Sequence, residues 1–228
     1  MGMGSPSHLT PASGLYAKGG RKDLTAFGQD GVYTAVSGTP HWADAELKEL
    51  ASVKGPATAL SRAYNKYGSD LLLHLHGHFA IAVVDSSNAT LMLAIDRIGA
   101  QPLYYAALDG GGLVFGSSAD AVRSHPDIGT QLDPQGLYDY VYFHMVPSPG
   151  TIFQGISKLQ PSQFLLFRQA QTELQRYWQP VFTEQEDTPF ANLKNELTQT
   201  LKNSIARCAN AGEVGSFLSG GIDSSTVS

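Results

Sequence analysis

The residues best placed to do chemistry are Ser219-Gly220-Gly221-Ile222-Asp223-Ser224-Ser225, which follow the apolar stretch Val214 to Leu218. An apolar strand that turns through paired glycines into a helix aims several main-chain N–H groups at one point. The positive end of the helix dipole strengthens their pull on an anion. Gly220 and Gly221 let oxygen atoms approach the main chain with no Cβ in the way. Ser219, Ser224 and Ser225 add hydroxyl donors, and Asp223 adds a carboxylate of the kind that holds Mg2+ against phosphates. No Gly-Lys-Ser/Thr is present, so this is not a Walker A loop and does not predict phosphoryl transfer of that kind. The plain alternative is a serine-rich turn with a helix cap. The apolar strand before it and the full Ser-Gly-Gly-x-Asp-Ser spacing favour nucleotide binding. ATP is then expected against Leu218 (main chain), Ser219, Gly220, Gly221, Asp223 and Ser224, with Mg2+ on Asp223.

Such a loop needs elements to hold it. Phe190, Leu193, Leu197, Leu201, Ile205 and Cys208 recur every three or four residues, which predicts a long amphipathic helix with Cys208 on its buried stripe. Val214 to Leu218 reads as the short strand entering the loop, and the polar, acidic residues 179–188 read as a linker. Upstream the pattern is β-rich. Val32 to Val36 is a strand broken by Ser37-Gly38-Thr39-Pro40, and helices are predicted over 43–50, 56–67 and, briefly, 69–75. His78 to Asp85 and Thr90 to Ile95 form a hairpin whose near-continuous hydrophobicity requires cover on both faces. A second hairpin joins 102–108 to 112–116, short helices are predicted at 118–124 and 134–142, and strands at 151–154, 162–167 and 173–178. Residues 1–30, rich in Gly and Ser, read as a weakly ordered leader.

Composition narrows the function classes. Of 228 residues 42% are hydrophobic and 15% charged, which describes a globular chain rather than a disordered one. A net charge of −5 with no basic stripe argues against nucleic-acid binding. No stretch is long and apolar enough to predict a membrane span or a signal peptide, and a single cysteine excludes an internal disulfide framework. A cytoplasmic setting is expected.

The loop resembles the PP-loop of ATP pyrophosphatases that adenylate a carboxylate. Upstream, Asp96-Arg97-Ile98-Gly99-Ala100-Gln101-Pro102-Leu103-Tyr104-Tyr105 and then Phe115-Gly116-Ser117-Ser118-Ala119-Asp120-Ala121-Val122 resemble segments of the glutaminase domain of asparagine synthetases. Leu132-Asp133-Pro134, Val146 to Ile156, Lys158-Leu159-Gln160-Pro161 and Arg176-Tyr177-Trp178 follow in the same order. Over roughly residues 30 to 228 the chain therefore resembles the glutamine-hydrolysing asparagine synthetase family.

That resemblance implies an α+β fold: an N-terminal-nucleophile-type, glutaminase-like αββα sandwich over 31–180. Over 181–228 it implies a linker, a helix and the first strand and loop of an α/β PP-loop domain. It also implies ATP cleavage to AMP and pyrophosphate through a β-aspartyl adenylate, aminated by ammonia from glutamine or from solution. Small-molecule substrates go with it, and a homodimer is compatible with it. Because so little of an ATP-binding α/β domain is present, the chain is expected to be a fragment that is inactive alone. β-Lactam synthetases and lasso-peptide cyclases, in which an internal amine attacks the adenylate, are the related alternative. A non-catalytic scaffold is the third reading.

The chain also departs from the family pattern. The family's nucleophile is a Cys following the initiator Met, whereas this chain opens Met1-Gly2-Met3-Gly4 and holds no cysteine before Cys208. No catalytic residue is therefore expected in the glutaminase-like part. Ser37-Gly38-Thr39 stands for the family's Asn-Gly-Glu, and Gly55-Pro56-Ala57-Thr58 for its Ser-Asp-Thr-Glu, with Pro56 in place of the acid that holds the glutamine amine. Three further groups are read as structural. His74, His76 and His78 alternate but lack a carboxylate or cysteine to complete a metal site, and read as surface or cap residues. Asp85 and Asp133 suit a turn and a cap, and Asp96-Arg97 suits an internal ion pair. Tyr138, Tyr140, Tyr142 and Phe143 read as packing at a domain interface.

Overall fold

The hairpin predicted around Ser86-Ser87-Asn88 forms because the turn supplies its own hydrogen bonds. Asp85 accepts the N–H groups of Ser87 and Asn88 at 3.1 Å each and the Asn88 side-chain amide at 2.7 Å. A computed structural model describes residues 24–184, 188–209 and 214–228. The chain divides into two compact units, Met1–Gln179 and Pro180–Ser228.

In the first unit β1 (Leu24–Gln29) and β2 (Val32–Trp42) precede helices α1 (Ala45–Lys54) and α2 (Pro56–Tyr67). A 3-10 turn, Gly68–Leu73, leads into β3 (Leu75–Asp85) and β4 (Thr90–Ile95). The hairpin β5 (Tyr104–Ala107) and β6 (Leu113–Gly116) is followed by α3 (Ala119–Arg123) and α4 (Pro134–Phe143). Strands β7 (Ser157–Lys158), β8 (Gln163–Arg168) and β9 (Gln171–Arg176) complete the unit. The large sheet has the order β1-β2-β3-β4-β8-β9 and the small one β6-β5-β7, with every pair antiparallel.

Strand period explains the layering. Along β3, Leu75, Phe79, Ile81 and Val83 face α1 and α2, where Leu47, Leu60, Ala63 and Leu71 close the core. Ala80 and Ala82, with Leu91, Leu93 and Ile95 of β4, face the other way against Leu103, Leu113 and Leu159 of the second sheet. That sheet buries Ala106 beneath Val122 of α3. The outcome is helix, sheet, sheet, helix: the mixed α/β sandwich that the sequence resemblance implied. Each fully buried Leu, Ile or Phe stabilises it by about 1.5–3 kcal/mol.

Several expectations are corrected. Residues 24–29 are not part of a leader; they form edge strand β1, paired with β2 from Leu24↔Ser37 to Gln29↔Val32. Residues 1–23 of the expected leader lie outside the described residues. The predicted break at Ser37-Gly38-Thr39-Pro40 does not occur, and β2 runs on to Trp42. Pro40 stands opposite Gly77 of β3, beyond the last pair with β1 among the described residues, Leu24↔Ser37, so its missing N–H breaks no described bond to β1. Residues 151–154 are not a strand, and only Phe153 bridges, to Leu132. Buried Thr151 ties the segment into a loop instead, its hydroxyl reaching the carbonyls of Phe153 at 3.0 Å and Ile156 at 2.9 Å.

The second unit holds α5 (Phe190–Ala209) and α6 (Ile222–Val227). The long helix is where its spacing places it, but no residue of α5 is buried and Cys208 is exposed, contrary to the expected buried stripe. An apolar stripe is buried only where a second layer covers it. Residues 185–187 of the expected linker lie outside the described residues. Among the described residues no helix is long and apolar enough to cross a membrane.

Candidate functional site

The loop at 219–224 is shaped by hydroxyls closing on one another. The Ser219 and Ser224 hydroxyls share a hydrogen bond at 2.9 Å, and the Ser219 N–H donates to Ser224 Oγ at 3.2 Å. Gly221 N–H donates to Ser219 Oγ at 3.3 Å, while Ser225 Oγ donates back to the Gly221 carbonyl at 2.8 Å. Gly220 adopts φ +79°, a left-handed conformation that suits glycine, and an added Cβ there would meet nothing within 4 Å. Two hydroxyls and two N–H groups are thus gathered beside an open main-chain corner. Each can exchange its present partner for an anionic oxygen.

Of the predicted ligands, Ser219, Gly220, Gly221 and Ser224 come together in this corner, and Leu218 and Asp223 adjoin it in the chain, both exposed. The strand expected to lead into the loop is absent. Residues 214–219 have no regular structure, and Phe217 is 99% exposed. A strand needs a paired neighbour for its N–H and C=O groups, and among the described residues none pairs with this segment. The helix behind the loop, α6, has only six residues.

The first unit separates what the sequence placed together. Pro56 opens α2 on the helix-covered face, where Thr34 Oγ1 donates to the Ala57 carbonyl at 2.8 Å. Ser37 and Thr39 alternate with Val36 and so project from the opposite face of β2. Asp133 caps α4 by accepting from Gln135 N–H at 3.1 Å, as its position implied. Asp96 does not pair with Arg97. Its buried carboxylate accepts N–H groups from Phe79, Ile98, Ala100 and Gln101 at 3.1–3.2 Å, whereas the Arg97 guanidinium lies 5.3 Å over the Trp178 ring. Tyr138, Tyr140, Tyr142 and Phe143 are exposed on α4, with Tyr138 and Tyr142 stacked.

Sequence reasoning missed one grouping. His74 caps the 3-10 turn and stacks on Tyr67, with ring centroids 4.3 Å apart. His76 and His78 continue along β3, and strand pairing sets His41 opposite His76. Partial burial, then the charges of Arg97, His41 and His74, push His76 below its usual range. The alternation of the histidines was visible in the sequence, but the approach of His41 and Arg97 is a product of strand pairing. Among the described residues no group of three His, Cys, Asp or Glu is placed to hold a metal ion.

Comparison with known proteins adds an independent observation. The glutamine amidotransferase domain family matches residues 48–178, and the asparagine synthase family matches residues 196–228. The chain is 29% identical over 225 residues to glutamine-hydrolysing asparagine synthetase 3 of Bacillus subtilis, covering 92% of this chain and 35% of that protein. It is 27% identical over 195 residues to glutamine-hydrolysing asparagine synthetase 1 of the same organism, covering 80% of this chain and 30% of the relative. The chain thus spans about a third of the length of these curated relatives. A solved structure of glutamine phosphoribosylpyrophosphate amidotransferase from B. subtilis aligns over 69% of this chain and 32% of its own, with 15% identity and a TM-score of 0.41.

Proposed function

The chain belongs to the glutamine amidotransferase domain family, with an asparagine synthase segment behind that domain, and from this premise we propose that it serves an ATP-dependent amide ligase of the asparagine-synthetase type. In this reading a carboxylate, aspartate or a relative of it, is activated as an acyl adenylate with release of pyrophosphate, and ammonia then displaces AMP. The observation that carries it is the corner at 219–224, lying within the segment that matches asparagine synthase. The hydroxyls of Ser219 and Ser224 and the N–H groups of Ser219 and Gly221 are donors of the kind phosphate oxygens need, and Gly220 leaves the approach open. The Leu218 main chain runs beside them.

Asp223, exposed next to the corner, would hold Mg2+. One carboxylate suits this ion, which completes its shell with water and phosphate oxygens and neutralises phosphate charge when bound. Ammonia comes from glutamine or from solution. The single thiol among these residues, Cys208, lies within α5 and has no α-amine beside it to act as its base. The departures at Ser37-Gly38-Thr39 and at Pro56 from the family's glutamine-handling residues favour a second reading, in which an amine of the substrate itself attacks the adenylate, as in β-lactam synthetases and lasso-peptide cyclases. Either chemistry acts on small molecules in the cytoplasm.

Pyrophosphate release tests the proposal in the protein that carries these residues. Aspartate, ATP and ammonia together are expected to give release that depends on all three, and replacing ammonia by glutamine reports the amine source. Release with another carboxylate and no added amine would select the internal-amine reading. Silence with every carboxylate offered would leave a scaffold domain and sink the ligase.

A further inference from the structure

Antiparallel pairing of β2 with β3 places His41 opposite His76 and Thr39 opposite His78. Opposed residues in such a pair share a face, with Cβ atoms about 5 Å apart. These positions lie past Ala80, the last residue of β3 in the core between the two sheets, and the side chains of His41, His76 and His78 are exposed. Asp96 N–H donates to the Phe79 carbonyl at 2.9 Å and its carboxylate accepts from Phe79 N–H at 3.2 Å, which brings the next residue, Arg97, alongside the His78 end of β3; its charge adds to those that depress the protonation of His76. Basic groups from β2, β3 and the turn after β4 therefore converge on one uncovered patch.

What that patch lacks is a counter-charge. The chain as a whole carries −5, yet no carboxylate among the described residues pairs with Arg97, His41, His76 or His78. Asp96, the nearest acid in the chain, is turned inward and accepts four N–H groups. The buried Nε of Arg97 has no acceptor among the described residues, and the guanidinium lies 5.3 Å over the face of Trp178. His74 adds a further titratable group at the end of the 3-10 turn, already stacked on Tyr67. Basic groups crowded together without an anion repel one another's protons, and an oxyanion is the partner that relieves this.

We infer that the patch formed by His41, His76, His78 and Arg97 is a binding site for a small oxyanion, a carboxylate or a phosphate, taken up between the guanidinium and the imidazoles. A ligand bearing an ammonium group is disfavoured, because the acids nearest in the chain are already engaged: Asp96 by four N–H groups, and Asp44 by Lys66, the Tyr67 hydroxyl and Leu47 N–H. Binding draws a proton onto His76, which burial and the neighbouring charges hold below the usual imidazole range, so affinity rises as the pH falls below that range and weakens above it.

Histidine side-chain NMR on the 228-residue chain tests the inference, with inorganic phosphate, succinate and glutamine titrated separately at constant ionic strength. Phosphate or succinate is expected to shift the His41, His76 and His78 resonances saturably, and which of the two does so identifies the oxyanion. Affinity should rise severalfold as the pH is lowered below the ordinary imidazole range, since protonated His76 is needed. R97Q should weaken binding by about tenfold, the loss of a charge-assisted contact. H76N/H78Q should keep weak binding through Arg97 and His41 with a shallower pH dependence, which separates a lost ligand site from a lost fold. Shifts that grow linearly without saturation for both anions would overturn the site. So would R97Q and H76N/H78Q binding as the parent does, or glutamine binding more tightly than either anion.

Discussion

The Tyr177 hydroxyl donates to the Ile95 carbonyl at 2.9 Å, joining residues 82 positions apart in the chain. The bond fastens the segment that leaves β9 to the end of β4, beside the turn that carries Asp96 and Arg97. Burial, with the nearby Asp96 charge second, pushes the Tyr177 hydroxyl well above the usual tyrosine range. Y177F should lower stability by about 1–2 kcal/mol, read as a shifted urea midpoint. The pH dependence has a definite sign. The raised folded value means this contribution is fully present below the unfolded tyrosine value near ~10 and is lost as pH rises towards the folded one. Y177F should therefore show a shallower alkaline loss of stability than the parent, and an equal slope would refute the assignment.

Asp96 organises the same corner through its main-chain contacts. Its Oδ1 accepts from Ile98 and Ala100 and its Oδ2 from Phe79 and Gln101, all at 3.1–3.2 Å, and the Asp96 side chain itself is fully buried. D96A strands those four N–H groups and should cost more than ~4 kcal/mol, enough to lose cooperative unfolding in urea. D96N presents N–H groups to two of the donors and should fall in between. A D96A protein with a parental midpoint would show that the contacts contribute little.

How much of this was readable beforehand depends on how local the cause is. The β3–β4 hairpin and α2 were legible because each carries its own periodicity, and the Asp133 cap because Pro134 follows it. The length of β2 was not, since whether Pro40 breaks a strand depends on its pairing with β3, where it stands opposite Gly77. Thr151 defeated a strand prediction through hydroxyl contacts that no periodicity reveals. In the candidate site, Ser219 and Ser224 could be named because glycine and serine spacing is local. The patch of His41, His76 and Arg97 could not, because strand pairing creates it.

Asp44 links α1 to α2 and gives the acid limb its character. It accepts from Lys66 Nζ and from the Tyr67 hydroxyl at 2.8 Å each, and caps α1 by accepting from Leu47 N–H at 3.2 Å. Lys66 first, then Tyr67 and Leu47, hold its carboxyl well below the ordinary carboxylate range. A depressed folded value gives stability that is present above the unfolded value near ~3.9 and lost as pH falls through the folded one. Melting temperature measured from neutral to strongly acid pH should thus decline less steeply in D44N than in the parent, from a lower starting point. Parallel curves would show that Asp44 does not set the limb.

The corner at 219–224 yields the most direct test of nucleotide binding. Ser224 Oγ accepts the Ser219 N–H and pairs with the Ser219 hydroxyl, so a phosphate oxygen entering the corner would take over both donors. A hydrogen bond to a charged oxygen contributes about 1.5–3 kcal/mol, and S224A should therefore weaken ATP binding by roughly tenfold or more in calorimetric titration. Global stability should change little, because Ser219 to Asp223 are exposed and Ser224 itself is only half-buried. D223N should instead reduce the advantage of Mg2+ over metal-free ATP, separating the metal contribution from that of the hydroxyls. G220A acts by a third route: φ +79° is unfavourable for a side chain even with open space around it, so the donors would be displaced while all remain present. Loss in all three variants, each with its own signature, is what a phosphate-gripping corner requires. Unchanged ATP affinity in S224A and G220A would mean that the serines merely hold the turn.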